Sequence, residues 1–427
     1  MEKFFHSVTL EKSKCKGCIN CIKRCPTEAI RVQAGKAKII KERCIDCGEC
    51  IRVCPHHAKS AVHDPISCVE STRFKIALPP PSLYAQFNNL DGIDTVVNGL
   101  IAMGFDDVYE VSRAAEIISD ATRRLMSEGK LARPVISSAC PAVTRLIRVR
   151  FPNLIGHVLP LLAPVELAAR LAKDRAVKKF GVKKEDIDTY FITPCPAKVS
   201  AVKAPIGTET SAVDYCISIS DVYQKLLSCM KEDDSDNTVQ TQTGRIGVGW
   251  GASGGEASAL INEIYLAADG IENVIRVLED LEDEKFSDIE FIELSACNGG
   301  CVGGVLTVEN PYIAKTKLRK LKKNLAASLN VSDDIKTEWD IPLEFEPVMQ
   351  LGSSFPESIS MAKEMERIAS HFPALDCGSC GAPSCHALAE DIIRGFAKEE
   401  DCIYKFKEKF ASLTSQLSSL QRYKMDE

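Results

Sequence analysis

From residue 72 onward, short runs of apolar and β-branched residues alternate with stretches whose apolar positions recur every three or four residues. Phe74–Leu78, Val108–Val111, Pro134–Ser138, Tyr190–Thr193, Ile217–Ile219, Ile246–Val248 and Phe291–Leu294 have the length and composition of buried strands. Ser112–Gly129 and Glu256–Ala268 carry helical spacing instead. This alternation predicts an α/β domain over residues 72–349, with mainly parallel sheets and flanking helices. The pattern lapses at both ends. Residues 1–71 hold nine cysteines, and residues 350–376 read as a link to a last compact unit, within residues 350–427, with four cysteines between Cys377 and Cys402. In the tail, Phe406, Phe410, Leu413, Leu417 and Leu420 fall at helical spacing, a stripe expected to pack on its own protein. The acidic runs Lys231–Asn237 and Glu279–Lys285 read as solvated loops.

Bulk properties then exclude several classes. The 427 residues are 45% hydrophobic and 26% charged, as in ordinary globular proteins, and carry a net charge of −6. That sign argues against nucleic acid. No apolar run reaches membrane-spanning length, and the first residues lack a leader pattern, so a cytoplasmic protein is expected. Nineteen cysteines are the anomaly. In a reducing compartment, thiols at regular short spacings read as metal ligands.

Two runs form an internal repeat: Cys15, Cys18, Cys21 and Cys25-Pro26, then Cys44, Cys47, Cys50 and Cys54-Pro55. A cubane needs four thiolates from different directions; a CxxCxxC loop supplies three and a distant segment the fourth. In the two-cluster ferredoxin pattern the last cysteine of each run serves the other cluster. Cys15, Cys18, Cys21 and Cys54 are thus assigned to one 4Fe-4S cluster, and Cys44, Cys47, Cys50 and Cys25 to a second. Zinc is the alternative. Residues 1–71 resemble bacterial two-cluster ferredoxins, which implies an α+β ferredoxin-like domain that moves single electrons.

Cys140, Cys195, Cys297 and Cys301 each follow a predicted strand. In a parallel sheet those loops open on one edge, where such folds bind ligands. Four thiols from three strand ends could meet around one cluster, whereas buried structural cysteines are the plainer reading. Glycines in CNGGCVGG and prolines in SSACPAV and TPCPAK favour backbone held against a bulky ligand. Cys377, Cys380, Cys385 and Cys402 form a third set, which resembles a small cluster module of electron-transfer and corrinoid-linked proteins. Zinc competes there too. Cys68, Cys216 and Cys229 remain as core or loop thiols, and His56, His57, His63 and His386 as packing or surface residues. The loop GWGASG (249–254) fits GxGxxG, a weak dinucleotide signal, since no full strand precedes it.

The strings SSACPAV (137–143), TPCPAKVSA (193–201) and ELSACNGGCVGG (293–304) resemble, in order, the three signature motifs of iron-only (FeFe) hydrogenases. VYEVSRAAEI (108–117) and GVGWGASGGEA (247–257) are also similar to that domain. The resemblance implies that Cys140, Cys195, Cys297 and Cys301 hold the cubane of an H-cluster. It implies too that Cys301 bridges to a two-iron subsite with carbon monoxide, cyanide and azadithiolate, and that Lys198 faces a cyanide. The substrates would be dihydrogen and protons, with maturation proteins needed to supply the two-iron subsite.

The chain departs from the family where protons move. Ala139 stands where catalytic members place a proton-relaying cysteine, and Thr193 and Ser295 replace methionines. Ala201 replaces a glutamate and Val143 a tryptophan, and SDATRRLM lacks the expected acidic pair. Alanine cannot relay a proton. Glu256 and Glu293 are the remaining acids near the site and are expected to form another route; their plainer roles are a helix N-terminal charge and a structural acceptor. Divergent members with this alanine and a terminal cluster module resemble hydrogen sensors. The reading is therefore a slow hydrogenase that passes electrons through 4Fe-4S clusters to a redox or signalling partner, with pairing to a second copy left open. The alternatives are a hydrogenase-like iron–sulfur assembly protein or an electron-transfer subunit without the two-iron subsite.

Overall fold

The computed structural model describes residues 5–230, 239–261, 263–286 and 288–423. It divides into two compact units. The larger comprises residues 1–8, 45–48 and 61–346; the smaller takes most of the N-terminal cysteine segment together with residues 347–427.

The larger unit is α/β, built on two parallel sheets. In chain order its strands are β1 (Phe74–Leu78), β2 (Asp107–Val108), β3 (Val135–Ile136), β4 (Ile187–Thr193), β5 (Tyr215–Ser218), β6 (Tyr265–Asp269) and β7 (Phe291–Ser295). One sheet runs β2-β1-β4-β5, with Phe74 opposite Ile187 and Tyr190 opposite Tyr215. The other runs β6-β7-β3, with Phe291 paired to both Tyr265 and Val135. All seven residues of β4 are buried, as a strand covered on both faces requires. Helix α1 (Val111–Ser127) turns Val111, Ala114, Ala115, Ile117, Ile118 and Ala121 inward, at the spacing of one helical face. It packs on α2 (Pro164–Phe180), whose Ala168, Ala169, Ala172 and Ala176 let the two backbones approach.

Several expectations need correction. Ile246–Val248 lies in a helical turn, Arg245–Gly249, so the GxGxxG loop has no strand before it and loses the context of a dinucleotide site. The helix expected over Glu256–Ala268 is only Gly255–Ser258; Tyr265–Asp269 is the edge strand β6, partly exposed although Tyr265–Ala268 are apolar. Val111 and Ile219 open helices rather than extending strands. Glu279–Glu282 end the helix Ile271–Glu282, so that acidic run is only partly loop; the other, Lys231–Asn237, lies outside the described residues.

The expected link over 350–376 contains a helix, α3 (Phe355–Ser370), started by Ser354 accepting the Glu357 amide. In the smaller unit, α4 (Cys385–Ile393) joins the hairpin Ile30–Gln33/Lys36–Ile39 through buried ion pairs. Arg31 grips Asp391 through two nitrogens, at 2.5 and 3.1 Å, and Arg43 grips Glu390 with both Nη atoms. The Val32 amide donates to the Gly381 carbonyl at 2.8 Å. These contacts make the first and last cysteine segments one body. The terminal helix α5 (Ile403–Tyr423) leaves Phe406, Phe410, Leu413 and Leu417 exposed, so the stripe does not pack on its own protein.

Removing one partner of a buried pair strands the other charge. Glu390→Ala should therefore weaken the smaller unit by about 3 kcal/mol, read as an earlier midpoint for loss of its cluster absorbance in urea. Arg43→Leu/Glu390→Leu should recover part of that loss. Equal midpoints for wild type and Glu390→Ala would contradict this role.

Candidate metal centres

The cysteine motifs of the larger unit are helix starts. Cys140 caps helix Pro141–Arg150 and Cys195 caps helix Pro196–Lys203, each with proline as first helical residue, where its missing N–H costs nothing. A thiol there sits at the positive end of the helix dipole. Cys297 follows β7, and Cys301 opens the turn Cys301–Gly303. The loops come from the ends of both sheets, not from one sheet edge. The glycines also have a reason within the protein. A Cβ on Gly300 would lie 2.4 Å from the Ser253 nitrogen, and one on Gly304 2.2 Å from the Pro194 carbonyl oxygen. Both admit neighbouring backbone.

A cleft of about 690 Å³ opens here, lined among others by Ala139, Cys140, Lys198, Glu256, Glu293, Ser295 and Cys301. Lys198 lies at its foot. Burial drives its pKa down, but Cys301, Cys195, Cys140 and Cys297 together outweigh that and hold the ammonium above its ordinary value. Its contact with the Ala139 carbonyl is long, at 3.4 Å. Conversely, burial pushes the Cys195 thiol up to about 12, against the pull of Lys198. One buried ammonium thus serves four sulfurs from separate elements. Four soft donors with a cation holding unspent N–H bonds suit an anionic iron–sulfur group, so these residues fit the group that the motifs imply.

The wall of the cleft also holds a carboxylate pair. Burial first, then repulsion from Glu293, raises Glu256 to about 8. Ser137 Oγ donates to Glu256 at 2.5 Å and accepts the Ala139 amide at 3.1 Å. Burial also raises Glu293, opposed by the Ala257 and Gly254 amides, each at 2.9 Å. Glu256 is therefore the protonated member at neutral pH. Ser137 went unnoticed in sequence because serine carries no spacing signal. Of the replaced positions, Thr193 buttresses the Cys195 turn by donating to its carbonyl at 3.0 Å, Ser295 faces the cleft, and Val143 is fully buried. Asp46 was also missed. Within the larger unit it is fully buried and accepts from Val8 N, Ser200 Oγ and Arg145, fixing residues 45–48 to the α/β body.

In the smaller unit, Cys15, Cys18, Cys21 and Cys54 line one cavity of about 300 Å³, the set assigned to one cubane. Cys25, Cys44 and Cys50 also belong to this unit, while Cys47 falls in the larger one. Cys385 opens α4 with its amide on Asp376, and Cys402, buried, directly precedes α5. Burial raises the Cys380 thiol, and its neighbours Cys402 and Cys377 add to the rise. Among the leftover thiols, Cys216 is fully buried and pushed up by burial, and burial and Asp64 bring Cys68 to about 11. Both behave as core thiols. His386 pairs with Glu366 at the surface.

Fold and donors together define an iron–sulfur protein with an α/β body. The family description "iron only hydrogenase large subunit, C-terminal domain" matches residues 76–267 and 261–305, and the chain belongs to this family. "4Fe-4S dicluster domain" matches residues 7–55 and "putative Fe-S cluster" residues 372–404. The chain is 25% identical over 368 residues to the periplasmic Fe hydrogenase large subunit of Nitratidesulfovibrio vulgaris, covering 70% of this chain and 86% of that protein. It is 22% identical to iron hydrogenase 1 of Clostridium pasteurianum, covering 75% and 68% respectively. A probable cytosolic Fe-S cluster assembly factor of Brugia malayi is 23% identical over half of this chain, covering 59% of that protein. A HydA1 FeFe-hydrogenase variant from Chlamydomonas reinhardtii superposes at TM-score 0.45 and 15% identity, covering 65% of this chain and 95% of that one. Among the described residues no helix is long and apolar enough to cross a membrane.

If Lys198 is the charge that lowers these thiols, Lys198→Met should slow alkylation of Cys301 in the metal-free protein several-fold at fixed pH. Mass spectrometry of timed samples measures this, and an unchanged rate would refute the coupling.

Proposed function

We propose that this protein is a slow FeFe hydrogenase that oxidises dihydrogen reversibly and reports it as electrons to a redox or signalling partner. The observation that carries the reading is the buried Lys198 ammonium, which lines one cleft with Cys140 and Cys301 and is also held in its charged form by Cys195 and Cys297. In this reading those four cysteines hold the cubane of an H-cluster, Cys301 also reaches the two-iron subsite, and Lys198 orients it. When bound, that group supplies the metal chemistry that splits dihydrogen. The twelve other assigned cysteines hold three more 4Fe-4S clusters, over which electrons leave.

The protein's own residues supply the proton path. Ala139 offers no proton, but Ser137 and Glu256 stand beside it, hydrogen-bonded to each other. A carboxyl raised to about 8 can hold a proton at neutral pH and release it, as a relay needs. Glu293 repels its charge, and accepts from Gly254 N in the wall of a second cleft of about 490 Å³. Ser253, Ser258 and Lys315 line that cleft, and Lys315 draws the Glu293 pKa down against burial. A proton thus has Ser137 and the two carboxylates to cross, in place of the missing thiol. With alanine at position 139 in place of a relay thiol, turnover is slow, which suits detection better than bulk turnover.

Infrared spectra of the anaerobic protein, loaded with the two-iron subsite by maturation proteins, test the reading. Carbon monoxide and cyanide stretches are expected; their absence, with cubanes present, would favour an assembly or electron-transfer role. Glu256→Gln keeps the shape of the site but removes the transferable proton, and should lower hydrogen turnover about 100-fold. In wild type, hydrogen evolution should fall as pH rises through about 8, because Glu256 then stays ionised; the variant should lose that limb. A pH profile of both proteins decides it, and equal rates would end the carboxylate route.

A further inference from the structure

The two cysteine runs end in the same turn but not in the same residue. Cys25-Pro26-Thr27-Glu28-Ala29 is followed by Ile30, and Cys54-Pro55-His56-His57-Ala58 by Lys59. The backbones agree closely. Glu28 N donates to Cys25 O and His57 N to Cys54 O, both at 3.2 Å; Ala29 N donates to Cys25 Sγ at 3.2 Å and Ala58 N to Cys54 Sγ at 3.3 Å. Glu28 and His57 take nearly the same left-handed φ, +49° and +47°. Ile30 and Lys59 are thus equivalent positions, and both are buried, 2% and 4% exposed. An apolar position has acquired an ammonium.

Lys59 Nζ is buried and has no hydrogen-bond partner. Leaving a lone ammonium so costs several kcal/mol, a cost that persists only where something anionic offsets it. No carboxylate pairs with it among the described residues. What surrounds it is sulfur: Lys59 lines the same cavity as Cys15, Cys18, Cys21 and Cys54.

We propose that Lys59 is a potential-setting residue, its ammonium directed at the cubane held by Cys15, Cys18, Cys21 and Cys54. Reduction adds one electron, hence one negative charge, to the cluster. A fixed cation against the cage stabilises the reduced form more than the oxidised one and raises the potential. Charge and hydrogen bonds to sulfur are recognised means of tuning such clusters. This cubane is then the member of the ferredoxin-like pair on which electrons settle. The inference rests on the reading that this cavity holds a 4Fe-4S cluster.

The test is a dithionite titration of the full-length, anaerobically reconstituted protein followed by electron paramagnetic resonance. Cys18→Ala identifies the signal of this cubane by its disappearance. In Lys59→Ile, which restores the residue of the first repeat, the reduction equilibrium of that signal should fall about tenfold, or about 59 mV for one electron. Iron content should be unchanged, and Lys59→Arg should keep the wild-type potential. An unshifted signal in Lys59→Ile, or equal shifts in the isoleucine and arginine variants, would overturn the proposal. If the isoleucine variant takes up no iron at this site, Lys59→Gln decides by the same criterion. A wild-type protein with no Cys18-dependent signal would sink both the cluster and the inference.

Discussion

The larger unit is organised around a buried positive charge that has to face sulfur. An ammonium removed from water is costly unless anionic or polarisable partners surround it, and the partners of Lys198 come from four places in the sequence. That requirement ties together features that otherwise look independent. Two helices begin on Cys-Pro, which fixes the thiols of Cys140 and Cys195 at helix N-termini. Gly300 and Gly304 let the Cys297–Cys301 loop press on the Ser253 and Pro194 backbones, where any side chain would clash. The ends of two parallel sheets supply the floor. Moving any one of these elements would leave Lys198 desolvated and under-compensated.

The same electrostatics accounts for the carboxylates. Two acids buried side by side cannot both be ionised cheaply, and the asymmetry of their partners decides which one keeps the proton. Glu293 has two amides that favour its charged form, whereas Glu256 has a single hydroxyl. The pair therefore holds one proton between two sites, within a hydrogen bond of Ser137 and hence of the position of Ala139. With alanine at position 139 the cleft still has an ionisable group nearby, because Ser137 bonds both the Ala139 amide and Glu256.

How much of this was legible beforehand depended on whether the signal was periodic, spaced or neither. Phe74–Leu78 and Phe291–Leu294 were readable because each is a short, mostly apolar run, broken only by Lys75 and by Glu293, of the length of a strand. The edge strand Tyr265–Asp269 was not: its apolar Tyr265–Ala268 continue a stretch of helical spacing, and leucine and alanine favour a helix. Ile246–Val248 failed the other way: three residues cannot separate a strand from a helical turn. Cysteine spacing is far less ambiguous, because few ligands other than a metal centre ask for thiols at such regular intervals; Cys15, Cys18, Cys21 and Cys54 line one cavity. Ser137 and Asp46 carried no pattern, since their roles arise only once distant segments meet. The terminal stripe was visible, but not its exposure: periodicity tells which face of a helix is apolar and nothing of what covers it.

The joining of the first and last cysteine segments in one unit has a consequence for their chemistry. The bidentate Arg31–Asp391 and Arg43–Glu390 pairs are nearly buried, and such pairs contribute more to geometric definition than to net stability. Electron transfer depends steeply on distance, so a body that carries several cysteine sets gains from contacts that fix separation even at little energetic benefit. Apolar packing of the same area could stabilise as well but would tolerate sliding. Charged, directional contacts are the physical choice where position matters more than strength.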